Sequence, residues 1–190
     1  MEELLKVLLP RVLCGCKFEI HVFQGKHDLL SKLPERLRAY RKYRQPGYRM
    51  VVIVDRDNDD CQQLKQHMEV TAQSACLTTR SQCPDDWHVV NRIVVEELEA
   101  WYFGDWEAVR AAYPRVSQKI PRHHKYRNPD GIRGGTWEQF QKILQNAGYF
   151  KGGLEKMEAA RSIAGHMDPR RNRSASFRAF YRVLQQLGGP

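Results

Sequence analysis

The run RMVVIVD constrains the fold of this chain more than any other stretch of its sequence. It predicts a strand over Arg49–Val54, in which the β-branched residues Val51–Val54 follow one another without interruption and end directly in Asp55. Such a run is typical of a central strand in a parallel sheet that is buried on both faces. Because α/β sheets bind ligands at the carboxyl ends of their strands, the polar residues after this run are the first candidates for a site.

Helical and strand-like patterns alternate on both sides of this run. Apolar periodicity predicts helices over 2–13, 28–43 and 59–74 and one or two helices from Glu96 to Tyr113. Shorter apolar segments predict further strands over Lys17–Phe23 and Trp87–Val95. An alternation of this kind predicts an α/β fold, with a parallel sheet flanked by helices.

The character of the sequence changes after Tyr113. Residues 114–135 form a polar, basic connection rich in proline and glycine. Thr136 with Gln139 has the spacing of a capping box, and two further helices are predicted over 154–167 and 175–187. We therefore expect an α/β core at 1–113 and a basic helical C-terminal subdomain at 114–190, packed on the core.

Charge is distributed unevenly along the 190 residues, whose net charge is +9. Residues 1–50 carry 11 basic and 5 acidic side chains, residues 51–110 carry 5 and 12, and residues 111–190 carry 15 and 5. Basic flanks attract a polyanion such as nucleic acid. An acidic centre repels one unless divalent cations lie between them. This pattern favours a nucleic-acid partner, although a basic protein with locally grouped acids would look the same.

Several protein classes are excluded or disfavoured by composition. No apolar run approaches the roughly 20 residues that a membrane-spanning helix needs. The start, MEELLKVLLP, places two acids where a signal peptide has basic residues. Five cysteines without zinc-like pairing argue against a disulfide framework. We therefore expect a cytoplasmic protein without a membrane partner.

Two acidic segments follow predicted strands and are the main candidates for chemistry. Asp55 and Asp57 in VVIVDRDNDD can both reach one hard cation such as Mg²⁺. The segment VVEELEAW adds Glu97, with Glu96 and Glu99 as alternatives, and the first helix opens with Glu2. Each acid can equally be a favourable first-turn residue of a helix, and the sequence leaves that alternative open.

Basic candidates for phosphate contacts are dispersed along the chain. The segment QGKHD contains Lys26 but lacks a full phosphate-loop pattern, so a simple turn into a helix is the alternative. Near the C-terminus, DPRRNRSASF concentrates Arg170 and Arg171, which can hold phosphates or lie in a solvated loop.

The motifs together resemble a known family. The segments MEELLKVLLPRVL, GKHDLL, VIVDRDNDDC, VEELEAWYFGD, AYP, GGTWE and SFRAF are similar to those of the Toprim-like family catalogued as domain of unknown function 4276. The resemblance spans nearly the whole chain. It implies a fold related to the Toprim domains of topoisomerases, primases and overcoming-lysogenization-defect nucleases, in which a glutamate and a D-x-D hold Mg²⁺ for phosphodiester chemistry.

That resemblance implies specific site residues and partners. Asp55 and Asp57 would be the D-x-D ligands of Mg²⁺ or Mn²⁺, and Glu97 would be a further acid. The pattern also expects a strand ending in a glutamate before the first helix, and this sequence begins at the helix. Either the true start lies upstream, or the protein lacks its first strand and main glutamate; we expect the first strand to be missing from this chain. Glu2 matches a second metal-contacting glutamate of some relatives. A missing strand would leave a sheet edge for a partner chain or a homo-oligomer.

These observations predict a metal-dependent nuclease that hydrolyses phosphodiester bonds of DNA or RNA. Lys26, Arg56, Arg127 and Arg133 would hold the nucleic-acid backbone without reading its bases. Relatives of the family occur beside ATPases in antiphage loci, which implies a defence role and an ATPase partner. The main alternative is a non-catalytic subunit that binds nucleic acid or an ATPase through a degraded Toprim site. A phosphatase of the haloacid-dehalogenase type is a third, weaker alternative.

Overall fold

The computed structural model of the chain describes residues 1–43, 45–57, 59–153 and 155–188. Its helices and strands, in chain order, are α1 (Glu2–Val12), α2 (Gly25–Tyr43), β1 (Met50–Asp55), α3 (Cys61–Ser74), β2 (Val89–Val94), α4 (Glu99–Gly104), α5 (Trp106–Ala112), α6 (Thr136–Asn146), α7 (Lys156–His166) and α8 (Ala175–Leu187). Short 3₁₀ turns at Ile120–Arg122, His124–Tyr126 and Pro129–Gly131 cross the basic connection. No helix in these described ranges is long and apolar enough to cross a membrane.

Contacts between residues divide the chain into two units. Unit 1 comprises Met1–Ile20 and Val95–Pro190, and unit 2 comprises His21–Val94. These bounds differ from the predicted division at residue 113. The reason is that α1 packs against α7, and the Arg11 guanidinium donates hydrogen bonds to the carbonyls of Ala164 and Met167 at 2.6 and 2.8 Å. The N-terminal helix therefore belongs with the C-terminal part of the chain.

Unit 2 contains the parallel sheet. β1 and β2 pair in parallel, with Met50 opposite Val89 and Asp55 opposite Val94, and α3 connects them. The helix α2 packs on α3 and β1. The prediction of an α/β fold with a parallel sheet flanked by helices is confirmed at this level.

The predicted strand over Lys17–Phe23 is wrong. The backbone there is irregular, and the sheet of the described residues consists of β1 and β2. Phe18 and Val22 are 38% and 59% exposed. Alternating apolar residues specify a strand only where one face is buried against a core, and these side chains are not buried.

The expectation that β1 is buried on both faces is also wrong. Met50 and Val54 are buried, but Val51, Val52 and Ile53 are only partly buried. In the described residues β1 has a single neighbouring strand, so it lacks the cover that a central strand receives.

Leucines and small residues from the two helices form the core of unit 2. Leu33 and Leu37 of α2 pack in one cluster with Met50 and Val89 of the strands. Leu64 and Met68 of α3 pack in another cluster with Val54. Burying a side chain of this size contributes roughly 1.5–3 kcal/mol. These contacts hold the end of β1, and hence Asp55, beside the start of α3.

Aromatic side chains dominate the core of unit 1. The Trp101 ring stacks on Phe180 with a centroid distance of 5.2 Å and meets the edge of Phe177 at 5.1 Å. Phe103 stacks on Trp106 at 5.5 Å, and Phe140 of α6 packs edge-on against Phe103. The segment that sequence analysis left as one or two helices is thus two short helices, α4 and α5, which together supply most of this aromatic core.

A carboxylate from the 3₁₀ turn at 129–131 fixes the start of α8. Asp130 accepts hydrogen bonds from the hydroxyls of Ser174 and Ser176 at 2.7 and 2.9 Å and from the Ser176 N–H at 3.0 Å. Ser174 caps α8 by accepting from the Phe177 N–H. The basic connection is therefore tied to the C-terminal helix by charge-assisted hydrogen bonds.

Candidate functional site

The chain turns sharply after β1. Asp55 is the last residue of the strand and is partly buried, and the Arg56 N–H continues the ladder by donating to the Val94 carbonyl at 2.9 Å. Asp57 is exposed and has a left-handed backbone conformation, with φ of 51°. Asp60 is the N-cap of α3 and accepts from two backbone N–H groups. The capping alternative thus applies to Asp60, and Asp57 has a different role.

Lys26 lies between two of these carboxylates. From the first turn of α2, its Nζ atom is 2.8 Å from Asp57 Oδ2 and 2.9 Å from Asp59 Oδ2, and it donates to the Arg56 carbonyl at 3.1 Å. The lysine side chain is only 10% exposed, whereas the two carboxylates are about half exposed. We call this group the Lys26–Asp57–Asp59 cluster.

The electrostatics of this cluster favour a positive charge at its centre. Burial of the Lys26 ammonium opposes its charged form, but the hydrogen bonds to Asp57 and then to Asp59 outweigh that effect and raise the pKa of Lys26. A buried ammonium that keeps its proton needs nearby negative charge. The two carboxylates around Lys26 therefore form a negatively charged environment that stabilises a cation.

The donor atoms at this edge suit a hard divalent cation. Two carboxylates converge on one positive group, and Mg²⁺ is usually held by one or two carboxylates together with water and substrate oxygens. Within the described residues, no group of three or more Asp, Glu, His or Cys side chains is placed to hold a metal ion. In the described part of unit 2, the carboxylates that converge at this edge are those of Asp57 and Asp59.

Glu97, a predicted metal ligand, lies in unit 1 and holds the start of α6. Its Oε2 atom accepts a hydrogen bond from the Thr136 hydroxyl at 3.0 Å and another from the Trp137 N–H at 2.9 Å. The helix predicted from Thr136 begins there, but the predicted capping box is wrong, because Gly135 is the N-cap and Thr136 is the first helical residue. The carboxylate of a distant glutamate takes the place of a local cap.

Glu2, the other predicted ligand of unit 1, pairs with its own helix. Its carboxylate is 2.6 Å from Lys6 Nζ and the side chain is 37% exposed. The neighbouring Glu3 binds both Lys6 and Arg161, and the hydrogen bond from Arg161 is the main cause that lowers the pKa of Glu3. These contacts tie α1 to α7 and do not require a metal.

Unusual backbone conformations follow both strands at the same distance. Asp57 lies two residues after the end of β1, and Glu96 lies two residues after the end of β2. Their φ angles are 51° and 63°. Residues other than glycine adopt positive φ uncommonly, and such residues cluster at functional sites. The positive φ angles therefore support the hypothesis that the two acidic segments after β1 and β2 have a functional role.

The predicted phosphate-contacting arginines have different surroundings. Arg127, Arg133 and Arg170 are exposed, and the Arg127 guanidinium donates to the Arg122 carbonyl at 3.4 Å. Arg56 is partly buried. Arg171 is 2.7 Å from Asp105, whose carboxylate is fully buried, so this arginine has a structural role.

One family matches the sequence over nearly its whole length. The family described as a domain of unknown function, DUF4276, matches residues 1–187. The chain belongs to this family. The family named from the sequence motifs is thereby confirmed. No curated protein and no solved structure matches the chain.

Sequence analysis of this DUF4276 chain missed two groups. Asp59 was expected in the first turn of α3, but it pairs with Lys26. Asp105 accepts hydrogen bonds from the Asp168 N–H and from Arg171, and it also caps α5. The GD dipeptide at the junction of two short apolar segments was the available signal for the cap. Nothing local indicated the long-range pairing.

A buried polar cluster also lies in unit 2 of the DUF4276 chain. The Glu69 carboxylate of α3 accepts from the Asn91 amide of β2 at 2.9 Å and is 2.6 Å from Lys65 Nζ. Burial disfavours the charged carboxylate, but the hydrogen bonds from Lys65, Thr79 and Asn91 outweigh it and lower the pKa of Glu69. This cluster joins α3 to β2 inside the unit.

Proposed function

We propose that this chain hydrolyses phosphodiester bonds of nucleic acid at the carboxyl end of β1, with Mg²⁺ or Mn²⁺ as the cofactor. The observation that carries the proposal is the convergence of Asp57 and Asp59 on a single positive group, directly after the strand that ends in Asp55. The resemblance of VVIVDRDNDD to a Toprim D-x-D supports the same assignment.

Asp55, Asp57 and Lys26 would have different roles in this reaction. Asp55 and Asp57 would hold the cation, which would activate water and neutralise charge on the leaving oxygen. Lys26, whose three N–H donors are taken by Asp57, Asp59 and the Arg56 carbonyl, would compensate the negative charge of the cluster; the phosphate contact predicted for it from the sequence would require one of these hydrogen bonds to be exchanged. The roles of Glu97 and Glu2 as further ligands stay predictions.

Basic side chains support a nucleic-acid substrate. Arg127, Arg133 and Arg170 are exposed and can contact backbone phosphates. Arg171 is not included among these phosphate-contacting arginines, because it pairs with Asp105. A cytoplasmic location, an ATPase partner and an antiphage role belong to the proposal through the Toprim resemblance alone.

The proposal is tested by comparing the chain with its Asp57→Asn variant on plasmid and single-stranded substrates, with Mg²⁺ or Mn²⁺. Asparagine tolerates the left-handed backbone at this position, so the fold should be unchanged. We expect cleavage to be abolished while salt-dependent nucleic-acid binding is retained. Asp85→Asn, which removes an exposed carboxylate of the same unit, is the matched control and should cut normally. Retained cleavage by Asp57→Asn would overturn the assignment.

A non-catalytic nucleic-acid-binding subunit is the second candidate. The observation that favours it is that Lys26 already supplies a cation to Asp57 and Asp59, while Glu97 is engaged by the start of α6. Under this alternative, neither the wild type nor Asp57→Asn cleaves any substrate, Mn²⁺ does not bind saturably, and nucleic acid still binds.

A further inference from the structure

An arginine-lined cleft lies in unit 1 and includes the Arg171–Asp105 pair described above. It has a volume of about 280 Å³ and lies between α5, the 3₁₀ turn at Ile120–Arg122 and the loop before α8. Four arginines line it, namely Arg110, Arg122, Arg171 and Arg173, together with the acids Asp105 and Glu107.

The acids of the cleft are both engaged by one arginine. Arg171 is 2.7 Å from Asp105 and 3.0 Å from Glu107, and the hydrogen bond to Asp105 is the main cause that raises the pKa of Arg171. Among the described residues, Arg110, Arg122 and Arg173 form no ion pair with a carboxylate. Three guanidinium groups from three separate segments therefore give the cleft a surplus of positive charge.

One of the arginines that line the cleft has a buried donor without an acceptor. The Nε atom of Arg110 is inaccessible and has no hydrogen-bond partner among the described protein atoms. Leaving a buried donor unsatisfied costs roughly 1–3 kcal/mol. The other N–H groups of this guanidinium stay available to an anion, which would stabilise the positive charge of the side chain.

The chemistry of the lining selects a phosphate group as that anion. Guanidinium groups bind phosphate oxygens through paired N–H donors, and they remain charged at any physiological pH. The positive surface also continues beyond the cleft, because Lys119, Lys125 and Arg127 are exposed along the same basic connection. A ligand that carries several phosphates in a row fits this arrangement better than a single phosphate.

We propose that the cleft formed by Arg110, Arg122 and Arg173 binds backbone phosphates of a nucleic-acid strand. The inference rests on the proposed function only in taking nucleic acid as the ligand, since none of these arginines belongs to the acidic edge at β1. Binding here requires no divalent cation.

The test is fluorescence anisotropy of a short labelled oligothymidine with the full chain in the presence of EDTA. Arg122→Gln/Arg173→Gln should weaken binding about tenfold and lower the slope of log affinity against log salt by about 1.4, as loss of two phosphate contacts to a single strand requires. Arg178→Gln/Arg182→Gln is the matched control, because it removes two exposed charges from α8 outside the cleft. Equal losses in the two double variants, or no loss in the first, would overturn the proposal.

Further measurements distinguish a nucleic-acid site from a site for free phosphate compounds and from misfolding of the variants. Tripolyphosphate binding that is lost in the cleft variant while oligothymidine binding is unchanged would show a site for free phosphate compounds and would also overturn the proposal. Because EDTA removes the cation, a failure of cleavage at the acidic edge does not affect these results. Matching circular dichroism and thermal midpoints show that the variants are folded.

Discussion

Replacing Lys26 by methionine tests whether the Lys26–Asp57–Asp59 cluster is a cation site. The substitution removes the ammonium but keeps an unbranched apolar side chain of similar length. Asp57 and Asp59 then face each other without a positive group between them. We expect this variant to bind Mn²⁺ more tightly than the wild type, because the metal no longer competes with a resident cation.

The magnitude follows from the two contacts of 2.8 and 2.9 Å. Coulomb's law in bulk water gives about 1.5 kcal/mol for each, or about 3 kcal/mol together. Because both carboxylates are about half exposed, measured pairs of this kind contribute only about 0.2–1 kcal/mol each. A gain of about tenfold in affinity, which corresponds to about 1.4 kcal/mol, lies between these limits.

The assay is titration of Mn²⁺ followed by the electron paramagnetic resonance signal of the free ion. Lys32→Met is the control, since it removes the same charge from the same helix, where Lys32 pairs with Asp28. If Lys26→Met binds Mn²⁺ no better than the wild type and the control, the ammonium does not occupy a metal position, and the argument from convergence is refuted.

Two stability predictions follow from carboxylates that each accept several hydrogen bonds. The pKa of Glu69 is lowered from its ordinary value of 4.5, so its stabilising effect is present above pH 4.5 and is lost as the pH falls through the lower folded-state value. Glu69→Gln should therefore be destabilised at neutral pH in urea unfolding, and its difference from the wild type should shrink progressively as the pH falls below 4.5. Asp130→Ala should lower the free energy of unfolding by about 2 kcal/mol or more, because it leaves the buried Ser174 hydroxyl and the start of α8 without their acceptor. The exposed Asp85→Ala should change it by less than about 0.5 kcal/mol, and an equal effect of the two substitutions would contradict the role of Asp130.

Sequence patterns predicted those helices and strands that are specified by residues adjacent in the chain. The helix predicted over 175–187 has those bounds in the structure, because its apolar periodicity is strong and Ser174 is a good N-cap. The strand β1 lies within one residue of its predicted bounds, since the β-branched run Val51–Val54 has a high strand propensity and pairs with β2. The strand predicted over 17–23 failed because the pattern alone does not provide a neighbouring strand.

The candidate site was predictable only in part for a similar reason. The position of Asp55 and Asp57 after a strand follows from the sequence. The placement of Lys26 between two carboxylates depends on how α2 packs, and the capping of α6 by Glu97 joins groups 39 positions apart in the chain. Such contacts have no local signature, because each partner alone is an ordinary surface residue.

The discontinuity of unit 1 has a consequence for synthesis on the ribosome. Arg11 of α1 binds the Ala164 carbonyl of α7 across 153 positions of the chain, so α1 leaves the exit tunnel long before its partner exists. All residues of unit 2 emerge in between, and that unit can complete its own core first. The four leucines of α1 that are buried in the finished protein remain uncovered until α7 has been made. The nascent chain therefore exposes the apolar face of α1 until α7 has emerged, and such a segment is of the kind that chaperones bind.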